Sequence, residues 1–292
     1  MYCIYSGKEI DDQDTNIEHI IPLSLGGSND FTINVSEKLN SYLGSKIDGK
    51  LTQDFLVNMD RVHYAGKGHS KKEAKLNIRS ELEDGSPVIT TFTQKEMKVF
   101  DPVNKQYIKT PDKVKMMTKL DLDLRIKFTA KVILATGYFL FGDIFVNHAD
   151  CKSLRNIMMS DDLRKTMKTP GLVGKIRFFD PLRTGKECAQ DPEFQVYKLF
   201  VESGNDSSVV WSYAPDRCIV CVAIYGKFVG MINFSADVDV FPKTDDFWLG
   251  HALICRDGKL IRMSWRDAIL EMCEKNKVLD AETLERVRKF KG

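Results

Sequence analysis

Hydrophobic and polar positions divide the chain into stretches with different periods. Cys3-Ile4-Tyr5 and Asn16–Ile21 are short runs rich in β-branched residues, separated by the turn Ser6-Gly7-Lys8, and read as two strands. Pro22 closes the second, and Gly26-Gly27-Ser28-Asn29-Asp30 marks a loop. Residues Val35–Tyr42 can turn helical, with Gly44 placed as a C-cap, and Leu51, Phe55, Leu56 and Met59 extend a second helix from about Ile47 to Asp60. A loop broken by Gly66 and Gly68 follows, then a short helix through Ala74. Residues 87–110 alternate as a hairpin or meander, with Asp101-Pro102-Val103-Asn104 as a turn. Leu122–His148 predicts one long, mostly buried helix kinked near Gly137. Residues 149–190 are mixed. Val196–Val201, Val209–Tyr213, Cys218–Tyr225, Phe228–Phe234 and Ala252–Cys255 read as strands, with a tight hairpin at Gly226-Lys227. Trp265–Lys275 and Ala281–Phe290 are amphipathic helices, the last capped by Asp280.

Composition adds boundaries. With 43% hydrophobic and 29% charged residues among 292, the chain is an ordinary globular protein, not a disordered one. The most apolar stretch, Phe128–Val146, contains Lys131 and Asp143, which argues for a buried helix and against a membrane span. No signal peptide is read in Met1-Tyr2-Cys3-Ile4, and seven scattered cysteines fit a reducing, cytoplasmic setting. Charge is uneven: residues 1–60 carry a net −6 and residues 61–80 a net +5. A basic stretch after an acidic start suits a surface that meets phosphates, although a solvated face explains charge alone equally well.

One string carries chemistry. It runs Glu18-His19-Ile20-Ile21-Pro22-Leu23-Ser24-Leu25-Gly26-Gly27-Ser28, passes Asn34, and ends Asn40-Ser41-Tyr42-Leu43-Gly44-Ser45-Lys46-Ile47-Asp48. Imidazole, with an unperturbed pKa of about 6.5, can take a proton from water at neutral pH. Glu18 and Asn40 offer oxygen to a hard cation such as Mg²⁺. Neighbours 18 and 19 face opposite sides of a regular strand, so a shared site requires the strand to twist or end there.

The string resembles the HNH endonuclease family over roughly residues 2–56. The resemblance implies a ββα-metal module that hydrolyses phosphodiesters, with His19 as general base, Glu18 as acidic metal ligand and Asn40 as the helix-borne ligand of an H-N-N variant. Asn34 matches the asparagine that orients the histidine, with Asn29 as the fallback. Lys46 and Asp48 lie one and two helical turns beyond Asn40, within reach of a phosphate or a supporting position. Mg²⁺ or Mn²⁺ is the expected cofactor. Many members hold a structural zinc through Cys-x-x-Cys pairs, but here the matching place reads Cys3-Ile4-Tyr5-Ser6, so no structural zinc is expected. Cys218-Ile219-Val220-Cys221 lies in a strand, where residues three apart face opposite sides, and reads as two core cysteines.

The resulting fold class is α+β: the ββα-metal module, then a mixed, β-rich C-terminal domain with a long buried helix and two C-terminal helices. Its expected divisions are 1–60 for the nuclease module, 61–120 for a basic linker and hairpin, and 121–292 for an accessory domain that places the target. Lys67, Lys71 and Lys72, with Lys46, are expected to contact the backbone of DNA, duplex most of all, without reading bases. The expected function is metal-dependent DNA cleavage of a bacterial or phage type, in restriction, defence or mobile-element processing. The alternative is a catalytically silent or ligand-regulated nucleic-acid-binding protein on the same scaffold. No membrane partner is expected, and oligomeric state stays open, a homodimer included.

Overall fold

A computed structural model describes residues 1–66, 68, 72–170, 172, 174–183, 185–244 and 246–289, apart from the side chains of 187, 281, 284 and 287. Its architecture is α+β, with antiparallel sheets and helices in separate layers. The chain starts with a two-stranded ribbon, β1 (Tyr2–Cys3) and β2 (Lys8–Glu9), then a hairpin of β3 (Thr15–His19) and β4 (Thr32–Ser36). Ser36 caps α1 (Glu37–Leu43) by accepting from the Leu39 amide. A π-helical turn over Gly44–Asp48 leads to the single turn α2 (Gly49–Leu51) and then to α3 (Phe55–His63).

Two sequence expectations change here. Val35 lies inside strand β4 instead of opening a helix, because Ser36, the last residue of the strand, supplies the cap that starts α1. The single helix expected over 47–60 is broken at Thr52–Asp54, where the Asp54 carboxylate accepts from the Leu56 and Val57 amides and starts α3. A side chain that satisfies orphan amides favours a new helix start over continuation.

The middle of the chain is a five-stranded antiparallel sheet, β5 (Leu76–Glu81), β6 (Pro87–Phe92), β7 (Met97–Asp101), β8 (Gln106–Ile108) and β9 (Lys115–Met116), ordered β8-β7-β6-β5-β9. No helix runs through Ala74. Ala74 instead packs with Leu76, Ile78 and Val62 beneath Phe55, Met59 and Phe92, which places α3 on the inner face of β5. The expected meander is present, and Asp101 closes its turn by accepting from the Val103 and Asn104 amides.

The remainder is built around α4 (Leu122–Phe141). After it come α5 (Asp143–His148), α6 (Cys151–Met158), α7 (Leu163–Met167), β10 (Ile176–Phe179), α8 (Gly185–Gln190) and α9 (Pro192–Glu202). Strands β11 (Ser207–Ala214), β12 (Arg217–Ile224), β13 (Lys227–Ser235), β14 (Gly250–Arg256) and β15 (Lys259–Ser264) follow, then α10 (Trp265–Lys275) and α11 (Ala281–Lys289). The sheet order is β10-β13-β12-β11-β14-β15. Its two faces feed separate cores: Cys218 lies in the core shared with α4, and Cys221 in the core under α9 and α10. Strand alternation thus holds at that cysteine pair.

The segment Val196–Val201, expected as a strand, is part of α9. Asp191 caps it, Pro192 occupies its first turn, and Phe194, Tyr197 and Val201 are buried at helical spacing; the cap and proline outweigh the β-propensity of the valines. The hairpin turn is Tyr225-Gly226, both with positive φ, and joins Ile224 to Lys227.

Helix α4 is buried nearly all round and explains how the layers join. It packs on β12 and β13 on one side, and on β4, the π turn and α2 on the other. The helix ends at Gly142, at φ 53°, and not near Gly137. Gly137 serves another purpose, because a Cβ there would lie 2.5 Å from the Phe145 ring. No helix among the described residues is long and apolar enough to cross a membrane.

Gly137→Ala therefore sets two effects against each other. Helix propensity favours Ala by about 1 kcal/mol, whereas overpacking costs about 1–3 kcal/mol. Net destabilisation in urea unfolding is expected, partly relieved by adding Phe145→Leu. A more stable single variant would show that the ring has room to move.

Candidate active site

Strand β3 alternates strictly. Ile17 is 65% exposed, whereas Glu18 is 5% exposed and faces the interior. His19 lies on the Ile17 face, and its cross-strand neighbour is Thr32; Ile17 stands opposite Asn34. The open face of the hairpin thus carries His19, Thr32, Ile17 and Asn34 in two adjacent registers, with Asn34 exposed.

Asn29 Oδ1 accepts from His19 Nε2 at 3.0 Å. In that arrangement Nε2 carries the hydrogen and Nδ1 the lone pair. The orienting contact expected of Asn34 is made by Asn29, because the loop after Pro22 folds back over the end of β3 while Asn34 stays one register away. Two glycines make that path available. Gly26 adopts φ 76°, and a Cβ on Gly27 would lie 1.8 Å from the Ile21 carbonyl oxygen.

The loop is also held from outside the module. Tyr225 Oη donates to the Ser24 carbonyl at 3.0 Å, Ser207 Oγ to the Leu25 carbonyl at 2.6 Å, and Ser28 Oγ to the Gly258 carbonyl at 2.8 Å. Tyr225 in turn stacks on Tyr64 at the end of α3. Sequence reasoning missed these contacts, since the partners lie some two hundred residues away and belong to turns of the large sheet.

Glu18 departs from the role implied by the resemblance. Its carboxylate forms a salt bridge with Lys131 Nζ from α4 and accepts from Tyr5 Oη at 3.4 Å. Lys131 also holds Asp48 Oδ2 at 2.6 Å, and its side chain is fully buried. Burial alone would lower the Lys131 pKa, but Asp48 and Glu18 together hold it above the ordinary lysine value. Burial, with Glu18 adding to it, pushes Asp48 up from 3.8 to about 6 against the pull of Lys131. Asp48 Oδ1 is buried with no hydrogen-bond partner. Lys131 carried a sequence signal, being a lone cation in an apolar run.

Asn40 points to the same side of β3 as Glu18. Its Nδ2 donates to Asn16 Oδ1 at 2.8 Å and to the Ile17 carbonyl at 3.2 Å, tying α1 to the strand. Lys46 and Lys72 are exposed, and Lys67 and Lys71 lie outside the described residues. Cys3 is buried, and its sulfur accepts from the Ser36 amide at 3.3 Å.

A divalent cation needs carboxylate and carbonyl oxygens turned toward it. Glu18 does not fit one as arranged, because an ammonium neutralises its carboxylate, whereas Asn40 commits only its Nδ2 to β3. Among the described residues no group of three or more His, Cys, Asp or Glu could hold a metal ion.

Residues 3–56 match the family model described as HNH endonuclease, which covers the hairpin, the glycine loop and α1. The N-terminal fifth of the chain is therefore similar to the HNH endonucleases, a family of nucleases that are generally metal-dependent and act on nucleic acid. No curated protein and no solved structure matches the chain.

The buried charges set two expectations. Lys131→Met leaves two carboxylates unpaired and should cost about 3–5 kcal/mol in urea unfolding. Asp48 has a folded pKa above its unfolded one, so the native state holds the extra proton between about pH 4 and pH 6. That site contributes stability at acid pH and gives it up as pH rises through about 6. Asp48→Asn should flatten the stability profile across this window; an unchanged slope would place the titration elsewhere.

Proposed function

We propose that the chain is an HNH-type endonuclease in which His19 removes a proton from the water that attacks a phosphodiester of DNA. The observation that carries this reading is His19 on the open face of the hairpin, with Asn29 fixing its tautomer inside a loop braced at Ser24, Leu25 and Ser28. A rigid, oriented imidazole beside open surface is the arrangement a general base requires. The exposed Lys46 and Lys72, with the basic run through Arg61–Arg79, support contact with the backbone of duplex DNA. Seven buried cysteines scattered over the chain support a reducing cytoplasm as its setting.

A second reading has its own support. With Glu18 bound to Lys131, the scaffold also suits a nucleic-acid-binding protein that does not cleave. Plasmid nicking separates the two. On the first reading the wild-type chain nicks, and His19→Ala lowers the rate by about 10²–10⁴ while gel-shift affinity stays unchanged. Binding with no nicking by the wild type under any divalent-ion condition would establish the second.

A further inference from the structure

Two carboxylates that converge on one buried point are the usual donors for a divalent cation. Here Glu18 comes from β3 and Asp48 from the π turn, and the point is taken by Lys131 Nζ, carried in from a helix outside the HNH segment. We propose that Lys131 is a tethered cation: its ammonium takes the place that Glu18 would otherwise offer to a metal ion, so that helix α4 positions Glu18 and, through the shared strand, His19.

Three observations support this. The ammonium reaches both carboxylates while its side chain is wholly buried, so no hydrated ion shares the space. Tyr5, also buried, closes the other side, with its hydroxyl on Glu18 and its ring 5.9 Å from the ammonium. The charges leave a remainder, since one ammonium meets two carboxylates and Asp48 Oδ1 has no partner. A divalent ion would balance the pair, which makes the cluster convertible: removing the ammonium should create a metal site. Lys131 is a positioning residue, not a catalytic one.

The inference rests on the HNH reading only for the importance of Glu18 beside the base; its test reads metal binding and not cleavage, so either can fail alone. Mn²⁺ binding to the full chain is followed by electron paramagnetic resonance. In the wild type, Glu18→Gln should leave Mn²⁺ uptake unchanged. Lys131→Met keeps most of the apolar stem and vacates the ammonium position. It should bind one additional Mn²⁺ per chain, raising its melting temperature, and adding Glu18→Gln should abolish both gains. A wild-type Mn²⁺ site lost on Glu18→Gln would overturn the proposal, as would a folded Lys131→Met that binds no additional ion.

A wild-type measurement guards against a variant that fails to fold. In chain labelled with ¹⁵N-lysine, the Lys131 ammonium signal should remain protected and unshifted in saturating diamagnetic Mg²⁺. Its selective shift or loss would show that metal enters the cluster and would refute the tethered cation.

Discussion

Three buried charged groups are tolerable only because they face one another. Lys131 lies wholly inside the protein, and its company of Glu18 and Asp48 keeps it charged there. An isolated ammonium at that depth would lose its proton or unfold its surroundings. The cluster therefore imposes a distance between helix α4 and hairpin β3–β4, and every layer that touches α4 inherits it. Apolar packing supplies most of the cohesion around this point, with Ile4, Ile20, Ile21, Leu25 and Phe31 in one core with Phe128, Val132 and Trp211. Packing is tolerant of small slips, but a two-armed ion pair is not. The charges set the register in which the apolar surfaces close.

This arrangement answers a problem of size. A segment of some fifty residues buries too small a fraction of its surface to be secure alone, and segments of this scale lean on metals, disulfides or partners. The matching position for a second N-terminal thiol is Ser6, which donates to the Cys3 carbonyl instead. Support comes from the rest of the chain: α4 from below, and the turns at Tyr225, Ser207 and Gly258 against the glycine loop. The large sheet is therefore a scaffold for the loop that orients His19, whatever else its surface contacts.

Local chemistry was legible in the sequence and distant chemistry was not. The motif Glu18-His19 through Asn40 located the segment, alternation placed Cys218 and Cys221 on opposite faces, and Asp280 capped the last helix as read. The start of the last helix was legible from its cap, but Gly44, read as a C-cap, stays helical and leads into the π turn, and the two clearest misses, β4 and α9, came from weighing propensity above Ser36 and above Asp191-Pro192. At the site, the motif favoured Asn34 as the partner of the histidine with Asn29 as the fallback; the path of a loop decides such contacts, and Asn29 lies on that path. Lys131 was visible as a charge in an apolar run and served only to argue against a membrane span. Its partners lie 83 and 113 residues upstream, which no local period can reveal.

The shared core also bears on how such a protein can be inherited or rebuilt. Nuclease segments are often pictured as cassettes that can be cut from one chain and spliced into another. The HNH-like segment of this chain does not have clean edges: its loop carbonyls accept from Tyr225 and Ser207, and its acid pair closes on a lysine from α4. A graft that moved the hairpin, α1 and the π turn alone would carry two buried acids and a greasy underside into a host unprepared for either. The transferable unit extends at least through β14 and its turn at Gly258, so front and back of this chain must be exchanged together or not at all.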